Sequence, residues 1–180
     1  MNPEKFIQNI IDQIKEAQIK LGYAKETVRL YYPAESLCRW MGLEAMEARK
    51  LAQFLAKSAA FSDTVLGKLE FAAHKGRIEV RIPPEGAQYV RQQAPEPEFL
   101  KDLIGFFGGH PHCSLEDICR IFAKYSPDYV CEKMPEGADF DYVLYFPDGS
   151  VDAYYYCVKE EMGHTIYHRF IKEDYQALLT

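Results

Sequence analysis

Apolar residues recur at helical spacing from the start of the chain. Phe6, Ile7, Ile10, Ile11, Ile14, Ala17 and Leu21 fall on one stripe between Pro3 and Gly22. That pattern predicts an amphipathic helix over 1–22, with Asn2 as its cap, Pro3 in its first turn and Gly22 as its end. Thr27–Tyr31 reads as a short β-rich segment. A second helix opens at Pro33 and places Leu37, Trp40 and Met41 at i, i+3, i+4. Gly42 stands where a left-handed residue ends a helix. Over Glu44–Lys57, the residues Ala48, Leu51, Ala52 and Leu55, continued by Ala59, make a stripe of period 3.6. The opposite face carries Met46, Lys50, Gln53 and Lys57, with Arg49 and Phe54 on its flanks.

The period then changes to two. Leu69, Phe71 and Ala73 alternate with Lys68, Glu70 and Ala72, and Ile78, Val80 and Ile82 alternate with Arg77, Glu79 and Arg81. This predicts a hairpin with one buried and one wet face, turning at His74-Lys75-Gly76 and stopped by Pro83-Pro84.

Gln92–Glu98 (QQAPEPE) has two prolines and no apolar run, and reads as a linker. Beyond it, Glu98–Phe107 is predicted as a helix with Phe99, Leu100, Leu103, Ile104 and Phe107 inward. A second helix starts at Ser114, where Asp117 stands in the capping-box position. Four strands follow, over 129–134, 140–146, 151–159 and 164–171, each separated by a Gly- or Pro-containing turn. Helices beside an antiparallel meander place the chain in the α+β class.

The order helix, short strand, helix, helix, hairpin over residues 3–91 resembles the winged-helix fold. So do the corner LCRWMGLE and the exit IPPEGAQYV. The resemblance implies that the third helix is a recognition helix and the hairpin a wing. The division expected is 1–91 winged-helix-like, 92–98 linker and 99–180 α+β. KFIQNIIDQIKEAQIKLGY and ETVRLYYPAESL are similar to an uncharacterised bacterial family known only as a domain of unknown function. That resemblance implies no activity, cofactor or partner.

Composition adds little to the class, since 48% apolar and 27% charged residues are ordinary for a globular chain. The 14% of aromatic residues is high, and Tyr154-Tyr155-Tyr156 on a strand implies that some tyrosines face outward. The apolar residues near the start are interrupted by polar ones, which argues against a signal peptide. No run approaches the ~20 apolar residues of a membrane helix. The polar face of the first helix is charge-balanced, unlike a helix that lies on anionic lipid. A cytoplasmic location without a membrane partner is therefore expected. Five cysteines at irregular spacing read as reduced thiols.

Charge is unevenly spread. Residues 25–92 carry 11 Lys/Arg against 8 Asp/Glu, a net of +3, whereas residues 93–180 carry 7 against 16, a net of −9. The basic part offers Met46, Arg49, Lys50, Gln53, Phe54, Lys57, Lys75 and Arg77 as candidate contacts to a nucleic acid or a partner. Glu44 and Glu47 at the start of the third helix oppose phosphate, while Met46 and Phe54 suit a protein surface. His110, His112 and Cys113 in GGHPHC, with Cys119 beyond, lack the paired spacing of a zinc site. His164 and His168 on a strand lie ~13 Å apart and cannot share an ion. No phosphate-binding loop, nucleophile elbow or metalloprotease motif is present. The chain is thus expected to be non-catalytic and without a cofactor or metal. The expected function is a protein-interaction or regulatory module, acting on a protein partner or its own copy. The alternative is a winged-helix DNA-binding regulator.

Overall fold

A computed structural model describes residues 2–179. It divides into two compact units, one ending at Glu96 and the other beginning at Pro97. Both mix helices with an antiparallel sheet, so the chain is α+β.

In the first unit, α1 (Pro3–Leu21) is capped by Asn2, whose Oδ1 accepts from the Lys5 N–H at 3.2 Å. Phe6, Ile10 and Ile14 are its fully buried residues. Leu21 and Ala17, expected inward, are exposed, because the last turn of α1 runs past the core. In their place Asn9, Lys15 and Glu16 are covered, since α1 packs against two other helices at once. Strand β1 (Val28–Pro33) leads directly into α2 (Ala34–Met41), and Pro33 is the helix N-cap rather than its first residue. A proline ends this strand at little cost because β1 lies at the sheet edge.

Helix α2 ends at Gly42, with φ 64° and ψ 37°. The Gly42 and Leu43 N–H groups donate to the carbonyls of Arg39 and Cys38, closing the last turn. A Cβ at Gly42 would meet nothing within 4 Å, so the demand for glycine is purely conformational. Gly42→Val is expected to cost about 1–2 kcal/mol. A thermal melt unchanged from wild type would mean that the corner tolerates a β-branched residue and that this account of it is wrong.

Residues 43–47 form no regular element, and α3 (Ala48–Lys57) begins four residues later than the start expected at Glu44, at the first residue of its apolar stripe. Glu47 is its N-cap, and Glu44 and Met46 lie ahead of the helix. The reason is packing. Glu47 is extended, with φ −62° and ψ 145°, and starting at Ala48 turns Leu51, Ala52 and Leu55 inward, all at most 5% exposed. A 3₁₀ turn (Ala59–Phe61) follows α3.

The hairpin is β2 (Glu70–His74) and β3 (Arg77–Ile82), turning through Lys75 (φ 48°) and Gly76 (φ 79°). Two successive positive φ values match the right-handed twist of the strands. The sheet order is β1-β3-β2, all antiparallel, with Leu30 opposite Val80 and Phe71 opposite Val80 across the other edge. Phe6 meets the rings of Tyr32, Phe61, Trp40 and Phe71 in the core beneath. Helix α4 (Pro84–Gln93) closes the unit, so Gln92 and Gln93 are helical. Gln18 Nε2 donates to the Ala87 carbonyl at 2.9 Å and ties α4 to α1.

The second unit opens with α5 (Glu98–Gly109) and α6 (Leu115–Tyr125). The capping box at Ser114 forms with Asp117 on both sides. The Asp117 N–H donates to Ser114 Oγ, and the Ser114 N–H donates to the Asp117 carboxylate. The meander is β4 (Val130–Lys133), β5 (Tyr142–Tyr145), β6 (Tyr155–Glu161) and β7 (His164–Phe170), in that spatial order, followed by α7 (Lys172–Leu178).

The expected strand over 151–159 begins only at Tyr155. Asp152 instead caps a turn, accepting from the Tyr154 N–H at 2.8 Å and from the Tyr156 hydroxyl at 2.9 Å. Of the three consecutive tyrosines, expected to lie partly at the surface, only Tyr155 keeps some exposure. Tyr154 and Tyr156 are buried, Tyr156 against Phe99 of α5 and Phe122 of α6, and Tyr155 stacks between Tyr145 and Tyr175.

Candidate functional site

The exposed surface of α3 is set by its period. At roughly 100° per residue, Arg49, Gln53, Lys57, Lys50 and Phe54 follow one another around an arc of roughly 140°. All five are exposed, while Leu51, Ala52 and Leu55 face the core. No acidic residue lies within the helix. Phe54 keeps 42% of its surface, an unusual share for a phenylalanine. Met46 does not belong to this arc; it is half-buried in the segment before the helix.

Strand β2 packs against α3, so the hairpin sits beside the helix within the same unit. Lys75 occupies the turn itself and Arg77 the first position of β3, and both are exposed. The neighbouring arginines are differently placed. Arg29 and Arg81 stand opposite each other in the β1–β3 register, where like charges destabilise a sheet. Glu79 lies between them, 2.8 Å from Arg81 Nε and 3.8 Å from Arg29 Nε, and is only 5% exposed. The Arg81 hydrogen bond holds the Glu79 carboxyl below the usual carboxylate range. Glu79 was expected on the wet face. It is on that face, but covered by the two arginines it neutralises. The spacing of Arg77, Glu79 and Arg81 on one strand side was the signal available in the sequence.

Seven of the eight residues singled out in the sequence are thus presented on α3 and the hairpin. Glu44, which opposed a phosphate reading, is off the helix, and Glu47 is at its N-cap, where a carboxylate suits the helix dipole.

The GGHPHC loop has a structural occupation. The Thr165 N–H donates to the Pro111 carbonyl at 3.1 Å, and Thr165 Oγ1 donates to the Cys113 carbonyl at 2.6 Å. His112 hydrogen-bonds through Nδ1 to the Gly163 carbonyl and stacks on His164, with ring centroids 4.7 Å apart. His110 stacks on Phe106 at 4.5 Å, and His168 lies against Phe140. Among the described residues, no group of three or more His, Cys, Asp or Glu could hold a metal ion.

An open cleft of about 520 Å³ borders this loop, with Cys113, Lys133, Asp141 and Glu160 among its lining. Burial pushes the Cys113 thiol up, the reverse of what an activated nucleophile needs. No helix among the described residues is long and apolar enough to cross a membrane.

None of the curated proteins and none of the solved structures matches this chain. A family model does, over residues 3–179, and thus nearly the whole of both units. The chain belongs to that family, described as a domain of unknown function named for an E. rectale gene, DUF3877.

Proposed function

We propose that this protein is a cytoplasmic regulator whose first unit is a winged-helix-type module, with α3 and the β2–β3 turn contacting duplex DNA. The observation that carries the reading is the acid-free exposed arc of α3, beside a hairpin whose turn adds Lys75 and Arg77. The element order α1, β1, α2, α3, β2, β3 and the sheet order β1-β3-β2 support it. In a reader of this kind the third helix enters the major groove and the wing follows the backbone. Gln53 stands mid-arc, where an amide side chain can address a base edge. Arg49, Lys50, Lys57, Lys75 and Arg77 supply the charge for phosphate. Arg29 and Arg81 contribute less, because Glu79 already neutralises them.

The test is a duplex-binding titration of the full chain across a salt series. Wild type is expected to bind with an affinity that falls steeply with salt, each phosphate contact contributing a slope of roughly −0.9. The variant Lys50→Ala/Lys57→Ala/Lys75→Ala/Arg77→Ala is expected to flatten that slope by up to about 3.6 while keeping the wild-type melting temperature. Binding that ignores salt, or a quadruple variant with an unaltered slope, refutes the reading.

A second reading rests on Phe54. Its exposed ring, with Glu44 and Glu47 on the approach to the same helix, suits a protein surface. On that reading Phe54→Ser abolishes capture of a partner that persists at high salt, and the cation variants leave capture intact.

A further inference from the structure

The open cleft beside the GGHPHC loop lies wholly within the second unit, and its charges are sorted to opposite sides. Its floor is the sheet. Lys133 on β4 stands opposite Tyr142 on β5, and Tyr142 opposite Val158 on β6, so the three share one face. Glu160 lies two residues beyond Val158 and points to the same side. The Glu160 N–H donates to Asp141 Oδ2 at 2.9 Å, which draws the Asp141 carboxylate towards β6. Lys133 and Glu160 are separated by β5, and thus by roughly 9.5 Å across the sheet. The cleft therefore has a cationic side on β4, an anionic side on β6, and Tyr142 and Val158 as an apolar strip between them. Among the described residues, no ion pair joins Lys133, Asp141 or Glu160 to another group. The wall is Cys113 and Leu115, at the end of the loop and the start of α6. Thr165 holds that loop through its N–H to Pro111 and its hydroxyl to Cys113, so the cleft is formed before any ligand arrives. Met162 lies on the rim with 94% of its surface exposed. A thioether so placed adds nothing to a core, and suits an apolar group entering beneath it.

We propose that this cleft binds a small zwitterion, an apolar amino acid or a dipeptide. Its carboxylate pairs with Lys133, its ammonium lies between Asp141 and Glu160, and its side chain rests on Tyr142 and Val158. The mixed charge selects this class. A simple anion would meet two carboxylates, and a simple cation would meet Lys133. The volume of about 520 Å³ falls within the range of roughly 300–1,000 Å³ usual for small-molecule sites. A dipeptide is at most roughly 7 Å long, and the flexible Lys133 side chain closes the remaining distance. Such binding is independent of duplex contact by the first unit.

The test is a calorimetric titration of the full chain with leucine and with leucyl-leucine, each beside its N-acetylated and its C-terminally amidated form. At least one of the two zwitterions is expected to bind, and the better of them is the form the site takes. Capping either end is expected to weaken binding about tenfold, the loss of one charge-assisted hydrogen bond. Lys133→Ala is expected to reproduce the loss caused by amidation and to leave the affinity of the amidated form unchanged. Glu160→Gln is expected to do the same for acetylation. Both positions are exposed, so both variants are expected to keep the wild-type melting temperature. On saturation, the amide resonances of Tyr142, Glu160 and Gly163 are expected to shift. Three results overturn the proposal. One is neither heat nor resonance shift with either zwitterion at roughly 10 mM, a concentration that detects even millimolar affinity. Another is capped forms that bind as well as the free ones. The third is an affinity that both variants leave unaltered.

Discussion

Phe6→Ala is expected to destabilise the first unit by about 3–5 kcal/mol, a large part of what a domain of this size possesses. Phe6 is 0% exposed, and four aromatic rings surround it. Tyr32 meets it edge-on at 5.4 Å and Phe61 at 5.9 Å. Removing the ring leaves a cavity among side chains contributed by β1, α2, the 3₁₀ turn and β2. Those elements hold one another in place, so none can move in alone to fill it. The measurement is direct because Trp40, the only tryptophan of the chain, lies 6.3 Å from Phe6 and 5.5 Å from Tyr32. Its fluorescence reports this core alone. A urea midpoint that moves by less than the equivalent of about 1 kcal/mol would mean that the cavity collapses and that Phe6 is not the centre of the unit.

Phe99→Ala is the counterpart in the second unit, with a similar expected loss of about 3–5 kcal/mol. The Phe99 ring stands edge-on to Phe122 at 4.8 Å, Phe146 at 4.9 Å, Tyr125 at 5.3 Å and Tyr156 at 5.6 Å. It joins α5 to α6 and to the sheet at once. No tryptophan reports on this core, so amide hydrogen exchange is the appropriate probe. Protection of the β5 and β6 amides is expected to fall with the loss of Phe99, because Leu144 and Tyr156 on those strands face it. Unchanged protection there would show that the sheet is held from its other face, by Met134, Val143, Cys157 and the Tyr145–Tyr155–Tyr175 stack.

The candidate interface was legible in outline. Helical period alone placed Arg49, Lys50, Gln53, Phe54 and Lys57 on the surface of one helix, and the Gly76 turn placed Lys75 and Arg77 at the end of a hairpin. Met46 was misplaced because the helix was expected to open at Glu44, four residues ahead of the first residue of its apolar stripe, Ala48.

What the sequence determined by itself is local. The cap at Asn2, the left-handed corner at Gly42, the two-residue turn at Lys75-Gly76, the capping box at Ser114 and Asp117, and the four strands of the meander all follow from residues a few positions apart. Their energetics are settled within a turn of helix or one hairpin. The α+β class follows from their order. The tertiary structure decided which residues share a core and which charges neutralise each other. Glu79 is buried because Arg29 arrives from another strand. Tyr156 is buried because Phe99 of α5 and Phe122 of α6 lie against it. In each case the deciding neighbour belongs to a different element, and burial depends on what occupies the space opposite a side chain, which local spacing does not specify.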